Sequence, residues 1–173
     1  MKGQMAGRTT TAIGRSRHRP LTDLDRFRLY LRRGAPGPHA YVILLGLETF
    51  DAPALLRAVK KGLSYHAFER FRRNTSLSFE HAITLIDMRR RTMTRRKREG
   101  RFLPDESDRL LRASRLFART LELFEGDRDT ATEWLRTAQP ALAGAAPLDL
   151  AKTEVGALEV ERLVGRLEHG VFS

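Results

Sequence analysis

The chain has 173 residues, of which 41% are hydrophobic, and its formal net charge of +11 is unevenly spread. Residues 1–100 hold 22 Lys and Arg against 8 Asp and Glu, or +14, whereas residues 101–173 hold 10 against 13, or −3, which indicates a polyanionic partner for the first half only. The lack of cysteine excludes disulfides and thiolate chemistry, and the longest apolar run, residues 41–47, is too short to span a bilayer, so we expect a cytoplasmic protein with no membrane partner.

Residues 1–40 are predicted to be a basic and flexible N-terminal extension. Residues 1–20 are rich in Arg and Thr and contain no acid, which is typical of a flexible tail and superficially resembles a transit peptide. Residues 21–33 predict a short helix with Thr22 or Asp23 as its N-cap, and the Gly- and Pro-rich residues 34–38 would end it. We expect the compact part of the chain to begin near residue 40.

Residues 41–103 are predicted to form a helix-turn-helix domain. Residues 41–47 are apolar without a clear period and fit either a strand or a buried helix. Four helices are then predicted from candidate N-caps and candidate helix ends, namely Asp51, Ser64 and Ser78 as caps, and Gly62 and Gly100 as ends. The third helix ends near Ile86, a turn follows at Asp87 and Met88, and a fourth helix covers residues 90–99, an order typical of a helix presented to DNA.

Residues 104–173 are predicted to form a long helix and a small C-terminal domain. The long helix starts at Pro104 and ends near residue 124, with an inward stripe of Leu110, Ser114, Phe117, Leu121 and Phe124. Asp127 caps the next helix, residues 139–147 form a loop, and a last helix runs from about 153 to 168, with an inward set of Leu158, Val160 or Glu161, Leu163, Val164 and Leu167. The predicted fold class is all-α: a helix-turn-helix N-terminal bundle joined by a long helix to a small helical C-terminal domain.

Residues 89–98, RRRTMTRRKR, carry seven basic side chains and no acid. A run of this kind is commonly a solvated cationic face, but it follows an amphipathic helix and a turn, and no Glu lies four residues before Arg95 or Arg96 to neutralise them. Only Met93 offers an apolar anchor. We predict DNA contact, with base edges reached from the start of the helix and phosphates from its flanks, by Arg90, Arg91, Thr92, Thr94, Arg95, Arg96 and Lys97.

A single helix of this length reads only a few base pairs, so we expect a homodimer on a repeated half-site of double-stranded operator DNA. The sequence offers no comparable catalytic signal. None of its five histidines stands in a metal-ligand spacing, and the carboxylate pairs 106/108 and 159/161 point to different helix faces. We predict that the protein is not an enzyme and that it uses no cofactor and no metal.

Residues 62–172 resemble the Xre/MbcA/ParS-type antitoxin family. The matching pieces in the N-terminal part are Gly62-Leu63, the run RTMTRRK at 91–97 and ESDRL at 106–110. The matching pieces further on are Trp134-Leu135, PLDL at 147–150, Thr153-Glu154, Gly156, Val160, Leu163 and RLEHGV at 166–171. The family's double glycine and threonine before the proline are replaced by Ala143-Gly144 and Ala146, which puts the local loop geometry in doubt.

The resemblance implies a bacterial type II antitoxin. Its partner would be a RES-domain toxin that hydrolyses NAD or uses it to modify a target, and the C-terminal segment would block the toxin's active-site cleft. The helix-turn-helix would repress the antitoxin's own operon. The toxin-binding residues that the resemblance implies are Pro147, Leu148, Arg166, Glu168, His169, Gly170, Val171 and Phe172.

The end of the chain fits a docking tail. Gly170 allows the chain to leave the last helix in a left-handed turn, and Val171 and Phe172 are apolar where polar residues would cost nothing. A frayed terminus is the alternative. Two other functions stay open on the residues alone: a helix-turn-helix transcriptional regulator without a toxin partner, and an RNA-binding or architectural protein with little sequence preference.

Overall fold

The computed structural model describes residues 20–35 and 37–170, and the secondary structure of these residues is helical. No strand forms within this part, where one isolated antiparallel bridge joins Ser64 to Arg101. The all-α prediction is therefore confirmed. The helices are α1 (Asp23–Arg33), α2 (Ala52–Lys61), α3 (Tyr65–Thr75), α4 (Phe79–Leu85), α5 (Arg90–Glu99), α6 (Pro104–Leu123), α7 (Arg128–Arg136), α8 (Pro147–Leu150) and α9 (Glu154–Glu168), with short 3-10 helices at Ala40–Leu45 and Pro140–Leu142.

Most predicted helix starts are confirmed by a capping side chain. Thr22 and Asp25 form a reciprocal capping box at α1, and Asp51 accepts a hydrogen bond from the Ala54 amide at 2.9 Å at the start of α2. Ser78 and Asp127 cap α4 and α7 in the same manner. These side chains accept hydrogen bonds from amide groups that lack partners in the first turn of a helix. The helix starts can therefore be predicted from the local sequence.

The compact part of the protein begins at α1, well before residue 40. Leu24 and Phe27 on one face of α1 are buried in the common core, so the predicted flexibility is contradicted for this helix. Most of the ambiguous segment 41–47 belongs to the largely buried 3-10 helix Ala40–Leu45, which ends at Gly46. Its carbonyls are satisfied from two neighbouring helices, since Ser114 donates to Tyr41 O at 2.9 Å and Asn74 donates to Leu44 O at 2.9 Å.

The long helix α6 lies at the centre of the fold. Its predicted stripe is confirmed, with four residues buried and Phe124 packed partly against the same core. It contacts α2, α3, α7, α9 and the first 3-10 helix. Every buried side-chain nitrogen or oxygen among the described residues has a hydrogen-bond partner, as a folded interior requires.

The last helix α9 runs alongside α6 in the same direction. Three arginines of α6 pair with three glutamates of α9: Arg112 with Glu154 at 2.5 Å, Arg115 with Glu161 at 2.9 Å and Arg119 with Glu168 at 2.8 Å. The predicted inward set of α9 is partly wrong. Leu158 is exposed, and Gly156 and Ala157 are buried in its place because the first turn of α9 closes onto α8.

No helix within the described ranges is both long enough and apolar enough to cross a membrane.

Candidate DNA-binding and partner-binding surfaces

Backbone hydrogen bonds hold the segments at both ends of helix α5. At its start, the predicted turn is present: Asp87 adopts a left-handed φ of 47°, and the Met88 amide donates to Ile83 O at 2.8 Å. At its end, Gly100 is left-handed and its carbonyl accepts from the Tyr65 amide at 2.9 Å. Only Met93 and Arg96 of α5 are buried. The rest of the helix is exposed, or partly exposed at Thr92, and is therefore accessible to a partner.

Five cations on or beside α5 are exposed and form no ion pair within the described part of the chain: Arg89, Arg91, Arg95, Lys97 and Arg98. Arg91, Thr92, Thr94, Arg95 and Arg98 line one shallow depression of about 480 Å³, so the fold brings most of the predicted DNA-binding residues together. Unpaired cations at this density create a strong positive field, which attracts polyanions.

Arg90 is less free than its neighbours. Its guanidinium pairs with Glu80 and lies 5.2 Å from the centre of the Phe79 ring. The Arg72 guanidinium lies 5.8 Å from the same ring, so α3 extends the cationic surface beyond α5. Arg72 is not among the residues predicted from the sequence to contact DNA, although the basic pair Arg72-Arg73 at the end of α3 was the available signal.

The structure contradicts the assignment of Arg96 to DNA contact. Arg96 is only 4% exposed, and its fork donates two hydrogen bonds to Glu106, from Nε at 2.6 Å and from Nη2 at 2.9 Å. It also pairs with Glu99. The hydrogen bonds to Glu106 outweigh desolvation and raise the pKa of Arg96, so the side chain stays charged inside the protein. The neutralising acids, Glu99 and Glu106, follow Arg96 in sequence, whereas the prediction depended on the absence of an acid four residues before it.

The C-terminal site residues fall into three groups. Pro147 and Leu148 are buried at the start of α8, where they pack beside α4 and α7, so the structure contradicts their assignment to a partner surface. Glu168 is half-buried and committed to Arg119. The remaining members lie at the end of α9 or beyond it: Arg166, His169 and Gly170 are accessible there, whereas Val171 and Phe172 lie outside the described residues.

The end of α9 has the predicted turn. Gly170 adopts a φ of 66°, and His169 Nδ1 lies 2.7 Å from the Gly165 carbonyl. Glu159 and Glu161 face apart as predicted, since Glu159 pairs with Arg162 and Glu161 with Arg115. Within the part of the chain that is described, no three His, Asp or Glu side chains are grouped to hold a metal ion.

Two family models match the chain in this order. An antitoxin Xre-like helix-turn-helix domain matches residues 54–115, and an antitoxin Xre/MbcA/ParS C-terminal toxin-binding domain matches residues 120–170.

Three curated relatives are similar over most of the chain. A protein of Yersinia enterocolitica named Antitoxin Xre is 36% identical over 130 residues, which cover 75% of this chain and 88% of the relative. A protein of Photorhabdus laumondii with the same name is 29% identical over the same length, with the same coverage. A Prs ADP-ribosylating antitoxin of a Sphingobium species is 26% identical over 152 residues, covering 82% of this chain and 92% of the relative.

Proposed function

Because this chain belongs to the Xre/MbcA/ParS antitoxin family, we propose that it neutralises a RES-domain toxin that consumes NAD and represses its own operon. The chain is a type II antitoxin with a helix-turn-helix domain. The class of toxin, the operator and the homodimer are what we propose. Its action would take place in the bacterial cytoplasm.

The observation that carries the DNA-binding part is the set of unpaired cations on α5. Arg91, Arg95 and Arg98 are spaced four and three residues apart, so they project from one face of the helix. Met93, the apolar anchor, is fully buried on another face. A helix fixed in this way fits the major groove, where an arginine that meets a guanine contributes about 1–3 kcal/mol of base discrimination.

Specific recognition of an operator would call for a second copy of the chain. Helix α5 has 10 residues and is about 15 Å long, so it spans only a few base pairs. Two copies related by a two-fold axis would place two such helices about one turn of DNA apart. We therefore propose that the homodimer binds an inverted repeat upstream of its own gene.

The toxin-binding part rests on the end of α9 and the residues that follow it. Arg166, His169 and Gly170 are accessible there, and the chain continues into the apolar pair Val171 and Phe172. A short segment with an aromatic anchor can fill a cleft and dominate the affinity of an interface. The name of the Sphingobium relative, Prs ADP-ribosylating antitoxin, refers to ADP-ribosylation, a reaction that uses NAD, and this supports a toxin partner of that chemistry.

The two parts are separable by mutation. Arg91→Ala and Arg95→Ala are expected to weaken operator binding and to reduce its salt dependence, each by roughly one phosphate contact, while toxin neutralisation persists. Arg57→Ala is the matched control, since Arg57 is exposed on α2 and has no ion pair within residues 20–35 and 37–170. An equal loss in the control would show that net charge alone governs binding.

The converse experiment shortens the C-terminus. Deletion of residues 171–173, and separately of 165–173, is expected to abolish growth rescue and protection of cellular NAD in toxin-expressing cells, with operator binding unchanged. Rescue by both truncated proteins would overturn the tail model. Operator binding without any neutralisation by the full chain would favour the alternative, a transcriptional regulator that has no toxin partner.

A further inference from the structure

We propose that Arg96 and Glu106 are positioning residues for DNA recognition, which orient α5 on α6 without touching DNA themselves. The inference rests on the proposed DNA binding. It concerns a residue that lies within the most basic stretch of the chain, so its charge alone would assign it to the DNA surface. The structure assigns it an internal role.

The geometry is that of a two-pronged buried ion pair. Both side chains are nearly inaccessible, at 4% for Arg96 and 5% for Glu106. Two nitrogens of the guanidinium donate to the two oxygens of one carboxylate, at 2.6 and 2.9 Å. Glu106 Oε2 also accepts from the Leu103 amide at 2.8 Å, which ties the carboxylate to the first turn of α6. The pair therefore joins the second turn of α5 to the first turn of α6.

Helix α5 needs this contact because it has little else inside the protein. Met93 and Arg96 are its only buried residues. Met93 fixes how deeply the helix lies, and backbone hydrogen bonds hold the segments at its two ends. Apart from Arg96, no other buried side chain of α5 resists a roll of the helix about its axis. A second contact three residues later, almost one turn away, fixes that roll. The roll decides where the face that carries Arg91, Arg95 and Arg98 points.

The chemistry makes the pair specific to arginine. A lysine at position 96 retains the charge but cannot present two parallel N–H groups to one carboxylate. Removal of Arg96 alone leaves Glu106 as an unpaired buried charge, which is far more damaging than removal of both charges. A residue that contacts phosphate directly behaves in the opposite way, because neutralising Glu106 cannot restore a lost DNA contact.

The test is a double-variant rescue with the full-length protein and a duplex that spans the promoter of its own gene. Arg96→Met is expected to weaken binding by at least about tenfold, and Arg96→Lys by a similar amount. Adding Glu106→Gln to Arg96→Met should restore most of the affinity with an unchanged salt dependence, since the carbonyl oxygen of the new glutamine side chain still accepts from the Leu103 amide. Arg95→Met alone should lower the salt dependence of DNA binding by about one counterion, because it removes a direct phosphate contact. Adding Glu106→Gln to Arg95→Met should not restore the affinity for DNA.

Amide hydrogen exchange of α5 provides a measurement that does not depend on DNA. Exchange over residues 90–99 should rise in Arg96→Met and return toward the wild-type rate in the double variant. Weak DNA binding by the double variant with protected α5 amides would show that Arg96 contacts DNA and would overturn the inference. Wild-type protein that fails to bind the duplex would count against the proposed function, while the exchange data would still decide whether the pair positions α5.

Discussion

Gly156 provides a sharp test of how the toxin-binding region is packed. A Cβ atom added there would lie 1.9 Å from the Leu150 carbonyl oxygen and 2.6 Å from its carbon. Contacts of this type are not made below about 3 Å, and the atoms in the way belong to backbone, so the first turn of α9 must move by about 1 Å. Gly165 lies in the same helix, and a Cβ there would meet nothing within 4 Å.

The two glycines therefore predict opposite effects of the same substitution. Overpacking against backbone costs about 3 kcal/mol at the upper end of the usual range, and the better helix propensity of alanine offsets about 1 kcal/mol. We expect Gly156→Ala to lower the free energy of unfolding by about 2 kcal/mol. Gly165→Ala gains the better helix propensity of alanine without any overpacking, so it should raise the free energy of unfolding by about 0.5–1 kcal/mol.

Urea unfolding followed by circular dichroism measures both changes. With a slope of about 2 kcal/mol per molar urea, the two variants should have midpoints separated by about 1.5 M. Gly156→Ala should also weaken toxin binding while operator binding persists, because α9 and not α5 is displaced. A Gly156→Ala protein as stable as the wild type would refute the close approach of α9 to α8.

Three further predictions concern stability. Met93→Ala should cost about 2–5 kcal/mol, because Met93 is fully buried, whereas the volume-conserving Met93→Leu should cost less than about 1.5 kcal/mol in the same urea assay; equal costs would place Met93 at the surface. Thr132→Val removes the hydroxyl that donates to the Thr75 carbonyl at 2.7 Å, so a loss of about 1–3 kcal/mol is expected, and no loss would mean that water replaces the donor. Burial raises the pKa of Tyr41, so its contribution to stability is full below about pH 10, the usual tyrosine pKa, and is lost as pH rises through the folded-state pKa. Tyr41→Phe should flatten that alkaline decline, and an unchanged slope would assign the decline to other groups.

Most helix boundaries could be predicted because they depend on local chemistry. Asp51, Ser78 and Asp127 satisfy amide groups within three residues of themselves, and Gly100 adopts the left-handed conformation that ends a helix. The buried stripe of α6 could be predicted for a related reason, since its residues recur with the period of the helix itself. Neither inference needs knowledge of a distant part of the chain.

The predictions that were wrong concern residues whose environment depends on distant parts of the chain. Arg96 is neutralised by Glu106, ten residues later and on another helix, so no rule about neighbours within one helix predicts its burial. Leu158 is exposed because the first turn of α9 approaches α8 at Gly156, which turns a different face inward. The packing of α1 depends on a hydrogen bond from Arg28 to Gly126 O and on contacts with segments far along the chain. In each case, tertiary contacts determine which side chains are buried.

Helix α6 connects the two proposed surfaces through ion pairs at its opposite ends. Glu106 in its first turn holds α5, and Arg119 near its last turn holds α9 through Glu168. These two positions are 13 residues apart in one uninterrupted helix, or about 20 Å along its axis. A spacing of this size, set by a rigid element, lets the end of α9 engage a toxin while α5 remains available to DNA. We therefore expect the toxin–antitoxin complex to retain operator binding, and a toxin that released the DNA would have to act by steric overlap or by displacing α6.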